Sequence, residues 1–134
     1  MNNEIVLFEN QNVKLEVNVN DETVWLTQNQ IARLFNKERT VITKHINNIF
    51  KEGELDRESN VQKMHFANSD KPVTYYNLDV IIIVGYRVKS KNGIVFRKWA
   101  NKVLKDYLIK GYAINNKRLE YLEKTIKLID KEEE

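Results

Sequence analysis

The chain has no cysteine, a single proline (Pro72), four glycines and two histidines in its 134 residues. Without cysteine there is no disulfide framework, no thiol nucleophile and no thiolate zinc site. So few glycines leave no phosphate-cradling loop, and neither a GxxxxGK motif nor GxGxxG nor GxSxG occurs. His45 and His65 stand in no HxxxH or HExxH spacing, so no metal site and no cofactor is expected. Carboxylate pairs carry no information in a sequence with 19 acids. No enzymatic activity and no small-molecule substrate are expected. No apolar run reaches the roughly 20 residues of a membrane span, and the opening MNNEIVLFEN lacks the basic start and apolar run of a signal peptide. The expectation is a soluble, cytoplasmic protein without a membrane partner.

What is present is enough apolar material, 42% of the residues, for one domain with a packed core. The sequence divides into residues 1–112 as the main domain and 113–134 as a helical extension. The net charge of +3 conceals an uneven distribution. Residues 1–25 carry −4, residues 26–52 carry +3, residues 53–83 carry −2, residues 84–112 carry +7 and the remainder −1. Two basic segments set among acidic ones fit a protein with one surface toward a polyanion, though a solvated helix face has the same signature.

The elements follow from periodicity and punctuation. Residues 4–8 (EIVLF) and 13–19 (VKLEVNV) read as strands, the second alternating Val13, Leu15, Val17, Val19 with Lys14, Glu16, Asn18. Asn20-Asp21-Glu22 turns the chain before Val24 to Leu26. Thr27 caps a helix carrying Ile31, Ala32, Leu34 and Phe35, and Asn36 ends it. A second helix from about Glu38 to Lys51 has Ile42, Ile46, Ile49 and Phe50 on one face and stops at Gly53. Val61–Ala67 and Val73–Tyr76 form a hairpin around Pro72. Leu78 to Val88 is apolar enough for strand or helix, and Asn77 as a cap favours helix. After a break at Ser90-Lys91-Asn92-Gly93, a long helix is expected to end at Gly111. The fold class is α+β: an N-terminal β-hairpin or meander, a winged-helix-like helix-turn-helix with a β-hairpin, and a helical C-terminal half.

Residues 27–51 have the makings of a DNA-reading helix pair. Ala32 is small where the helices cross, Asn36 tolerates the left-handed turn, and Ile31, Phe35, Ile42 and Ile46 fill the shared core. In such a pair the second helix enters the major groove. Its exposed Arg39, Thr40, Thr43, Lys44 and Asn47 would meet base edges and phosphates of double-stranded DNA, and Gln28 a phosphate. Lys63 and Lys71 occupy the position of a wing or of an ordinary hairpin. Lys98, Lys102 and Lys105 line one face opposite Phe96, Trp99 and Val103, where they either track phosphate or are simply solvated. Leu119, Leu122, Ile126 and Ile129 form a seam that pairs two copies into a homodimer or folds back on the domain.

The stretch from Tyr75 to Gly111 resembles the RhuM family of virulence-associated and mobile-element proteins. The likeness rests on Tyr76-Asn77-Leu78-Asp79, Gly85-Tyr86-Arg87-Val88, Ser90, Phe96-Arg97, Trp99-Ala100 and Val103-Leu104-Lys105. Upstream, Trp25-Leu26-Thr27-Gln28 and His45-Ile46-Asn47-Asn48-Ile49 are similar to it too. The resemblance implies a DNA-binding protein without a settled activity, in keeping with a transcriptional regulator of a phage or mobile element. Family members are generally longer, which implies an N-terminal portion or a short variant. Two other readings stand beside it: a module that binds a host protein through the tail or the Trp25 and Trp99 surfaces, and the targeting domain of a longer enzyme. Asp79 and Arg87, two helical turns apart, are expected to be structural: a cap, a buried ion pair with other partners, or a hinge around Gly85.

Overall fold

The structure, a computed structural model, describes residues 4–20, 22–65 and 70–132, the side chains of 111–118 and 126–132 excepted. It divides into two units, Met1–Leu104 and Lys105–Glu134.

The first unit is built on an antiparallel sheet. Strands β1 (Glu4–Asn10) and β2 (Val13–Val19) form a hairpin, followed by β3 (Val24–Leu26). Between β2 and β3, Asn20 Oδ1 accepts from the backbone N–H groups of Glu22 (3.0 Å) and Thr23 (2.9 Å), an Asx turn that reverses the chain. Helices α1 (Gln28–Phe35) and α2 (Arg39–Lys51) come next, then a short α3 (Arg57–Asn60). The hairpin β4 (Val61–Met64) and β5 (Val73–Asn77) returns to the sheet, whose order is β1-β2-β3-β5-β4. Register places Phe8 beside Leu15, Val19 beside Val24 and Leu26 beside Tyr76, all buried, so one face of the sheet is continuously apolar.

Side-chain caps set the start of three of the helices, though not of α2. The Thr27 hydroxyl accepts from Gln30 N while Gln30 Oε1 accepts from Thr27 N, a capping box that fixes the start of α1. Asn36 adopts the left-handed conformation (φ 53°, ψ 50°), and Lys37 N bonds back to the Ala32 carbonyl at 3.0 Å. The chain is thereby turned within three residues into α2. Gly53 at φ 76° closes α2 in the same way. Asn77 caps α4 (Leu78–Arg87) by accepting from Val80 N, which makes the apolar run helical. Lys89, again left-handed at φ 55°, leads to α5 (Asn92–Glu132).

Two expectations are corrected. Helix α5 continues through Gly111 to Glu132. One interior glycine costs only about 1 kcal/mol relative to alanine, and no proline follows to stop the helix. Trp25 is not a surface residue: it is 3% exposed, in the middle of the sheet. Asn60, in the unexpected α3, is buried and bonds the buried Asn77 (2.8 Å) and the Asp56 carbonyl (2.7 Å), tying α3 to the start of α4.

At its beginning α5 packs through Phe96 and Trp99 against Phe8 of β1, with ring centroids 5.2 Å apart in both pairs. In the second unit Leu108, Leu119 and Leu122 are exposed, while the Ile126 and Ile129 side chains of the expected seam lie outside the described residues.

Candidate nucleic-acid interface

Helix α2 turns Ile42, Ile46 and Ile49 inward with no exposure at all. The 3.6-residue period therefore turns Thr40, Lys44, Asn47 and Lys51 outward in one stripe, and Arg39 stands exposed at its N-terminal end. Five of the residue positions expected to meet DNA lie on this helix, four of them exposed: Arg39, Thr40, Lys44 and Asn47.

The fifth, Thr43, belongs to the border of the stripe. Its hydroxyl lies 2.8 Å from Gln28 Oε1 and 2.9 Å from the Arg39 carbonyl, and Gln28 Nε2 donates to the Tyr76 hydroxyl at 3.1 Å. Gln28 and Thr43 thus join α1, α2 and β5 through a polar chain, which sets the pitch of α2 against the β4–β5 hairpin. A cleft of about 340 Å³ opens beside this chain, lined by Thr27, Gln28, Asn29, Arg39, Pro72, Val73 and Thr74. Lys63 and Lys71 are exposed on the hairpin that forms one side of it.

Sequence reading missed Arg57. Its guanidinium sits 4.6 Å from the centre of the Phe50 ring and donates to Asn47 Oδ1 at 3.4 Å, adding a cation beside the C-terminal half of the stripe. No periodic signal marks it, because it comes from α3 rather than from α2.

His45, half-buried on α2, is held below its ordinary pKa of 6.5, first by burial and then by the positive charges of Arg87 and Lys44. Arg87 itself is raised, chiefly by its hydrogen bonds to Glu52 and Glu54, each 2.7 Å away. Both carboxylates lie just beyond the last residue of α2. Arg87 is therefore ion-paired with partners other than Asp79, which is exposed in the first turn of α4, but the pair lies open to solvent rather than buried, because both glutamates stand on the surface turn after α2.

Gly85 is a point of close approach. A Cβ there would stand 2.8 Å from Phe35 Cζ and 3.4 Å from Gly93 Cα, so α4, α5 and the last residue of α1 meet at one spot. Asn92 Nδ2 adds a bond to the Leu34 carbonyl at 2.8 Å, satisfying a carbonyl in the last turn of α1.

Residues 54–130 match the model of the Virulence protein RhuM family. The chain belongs to the RhuM family. No curated protein and no solved structure matches it. The RhuM segment begins after α2, so the helix pair and the upstream Trp25–Gln28 and His45–Ile49 lie outside it. Within the segment, Gly85, Arg87 and Asn92, together with Arg57 and Tyr76, reach back to α1, α2 and the turn after α2. Lys98 and Lys102, also in the RhuM segment, are exposed on α5, away from the buried Phe96 and Ala100. Among the described residues no His, Asp and Glu side chains group to hold a metal ion, and no helix is long and apolar enough to cross a membrane.

Proposed function

We propose that this RhuM chain binds duplex DNA through a winged helix-turn-helix, with α2 as the recognition helix in the major groove and the β4–β5 hairpin as the wing. The reading rests above all on the outward stripe of α2: Arg39, Thr40, Lys44 and Asn47, exposed on a helix whose opposite face is wholly buried. It draws further support from the order of elements. β3, α1, α2, the short α3, β4 and β5 follow one another, and β5 lies between β3 and β4, so the second helix and the hairpin belong to one small framework.

Arg39 carries the donors for a guanine edge, Asn47 can pair an adenine, and Thr40 suits a thymine methyl or a phosphate. Lys44, Lys63, Lys71 and Arg57 supply charge toward the phosphates, with Lys98 and Lys102 as outlying cations. Gln28 and Thr43 act by positioning, since their side chains are engaged with each other and with Tyr76. Control of transcription on a mobile element is the role such a module fits.

The test is an anisotropy titration of labelled duplexes, first with mixed sequence and then with duplexes selected on the purified protein. Binding that weakens with salt and discriminates between sequences is the expected result. Absence of binding at low salt, or binding unchanged by Arg39→Ala and Lys44→Ala together, would defeat the reading.

A further inference from the structure

The sheet has two edges of opposite character. At one end β4 (VQKM) is four residues long, with Gln62 and Lys63 exposed, a short and charged edge of the kind that resists pairing. At the other end β1 (EIVLFEN) is seven residues long and keeps unbroken register with β2 from Glu4 opposite Val19 to Asn10 opposite Val13. It holds no lysine, proline or glycine and no bulge among the usual guards of an edge, and its two charges, Glu4 and Glu9, stand toward its ends and leave Ile5 to Phe8 uncharged.

The hairpin that carries β1 turns through two residues, Gln11 and Asn12, with Gln11 at φ 52°. In such a hairpin the pair flanking the turn is hydrogen-bonded and the pattern alternates from there. The N–H and C=O groups of Ile5, Leu7 and Glu9 therefore point away from β2, toward the open side. On the sheet face opposite Phe8, Ile5 is 64% and Leu7 54% exposed. An open row of backbone donors and acceptors thus coincides with two exposed aliphatic side chains.

We propose that β1 pairs with β1 of a second copy of this chain, antiparallel about a two-fold axis at Leu7, joining two sheets into one. The strand's own pattern argues for this occupant. Reversed on itself about Leu7, it sets Leu7 on Leu7, Val6 on Phe8, Ile5 on Glu9 and Glu4 on Asn10, so neither carboxylate meets another and the apolar centre meets itself. Ile5, Leu7 and Glu9, the residues with outward backbone groups, fall opposite Glu9, Leu7 and Ile5. Every pair can exchange both of its N–H···O bonds, and the contact is isologous, closing at two copies. The half-buried Val6 gains cover from Phe8 of the second copy.

The absence of native cysteine makes the test direct. Across an antiparallel hydrogen-bonded pair the Cα atoms are about 5.5 Å apart, inside the disulfide range of about 4.4 to 6.8 Å. Leu7→Cys should therefore form a linked dimer under mild oxidation far faster than Tyr86→Cys, placed at a still more exposed site on α4. Sedimentation equilibrium of the unmodified chain should show a concentration-dependent dimer. Leu7→Lys should weaken it at least about tenfold, with an unchanged thermal midpoint at concentrations low enough for both chains to be monomeric, because the side chain is already exposed in the single chain. Ile5→Lys is the second variant should Leu7→Lys fold poorly. A monomer at every concentration overturns the proposal. So does a dimer that Leu122→Asp abolishes while Leu7→Lys and Ile5→Lys leave it intact, which would assign pairing to the C-terminal helix, or equal cross-linking rates for the two cysteine variants.

Discussion

Ile42, Ile46 and Ile49 on one side of α2 have no solvent exposure, whereas Thr40, Lys44 and Asn47 on the other are open to it. The two faces share one backbone and one set of caps, yet they answer to different forces. On the inner face the hydrophobic effect fixes where the helix lies, and every methyl group counts toward stability. On the outer face the Thr40 and Lys44 side chains have no packing role in the fold and stand available for a partner, while Asn47 is engaged only through its Oδ1, which accepts from Arg57. Between them, the Thr43–Gln28–Tyr76 chain of hydrogen bonds and the Arg87 clamp on Glu52 and Glu54 hold the helix at a set angle. Mutations can therefore separate folding from binding on a single helix.

The largest effect is expected on the inner face. Ile46→Ala removes a fully buried side chain and should cost about 2 to 5 kcal/mol in urea denaturation, as cavity-forming changes do. DNA affinity should then fall only as far as the folded population falls. Lys44→Ala on the outer face should leave the same denaturation curve within about 0.5 kcal/mol. Equal destabilisation by the two changes would erase the distinction between the faces.

Next in size is the support beneath the pair. Gly85→Ala places a methyl 2.8 Å from Phe35 Cζ, at a spot where Gly93 already closes the other side. The ring must move, and overpacking of this kind costs about 1 to 3 kcal/mol. The variant sharpens the comparison because the substitution lies in the RhuM segment while the strain falls on α1. An alanine that leaves stability unchanged would mean that Phe35 has room the structure does not show.

On the outer face the effects are read in binding. Arg39→Ala should cost about 1 to 3 kcal/mol on a selected duplex and relax preference at one base position. Lys44→Ala should instead weaken all sequences alike and lower the slope of affinity against salt by about one unit. If the two variants exchanged signatures, the guanidinium would be the phosphate contact and the base reader would lie elsewhere on the stripe.

Much of this framework was legible in the sequence. The alternation of VKLEVNV predicts β2 to the residue, and the Thr27 and Asn77 caps place α1 and α4, because caps and short periods are local signals. The outward side of α2 follows from the same periodicity once its isoleucines are taken as buried. What eluded reading is what depends on contacts across the fold. Gln28 and Thr43, individually plausible DNA contacts, prove to be hydrogen-bonded to each other across 15 residues of sequence, and Gln28 to Tyr76 across 48. Arg57 joins the stripe from a four-residue helix held by its Asp56 cap, too short to show a period. Gly111 misled because a glycine both ends helices and survives inside them, and only the flanking packing and propensity decide between the two.

The smallest effect concerns His45, which sits between the two faces and senses charge from each. Burial, Arg87 and Lys44 all favour its neutral form in the folded chain, so its folded pKa lies below the ordinary 6.5. The unfolded chain titrates near the ordinary value. As pH falls through 6.5 the unfolded state takes up a proton that the folded state resists, and stability declines until the folded pKa is passed; above that window the residue contributes no pH dependence. The thermal midpoint of the native chain should therefore drop more between pH 7.5 and pH 5.5 than that of His45→Gln. Arg87→Gln should raise the His45 pKa, measured by imidazole proton shifts, because it removes one of the neighbouring cations. Parallel pH profiles for the native chain and His45→Gln would show instead that α2 holds the imidazole in open solvent, with both cations screened from it.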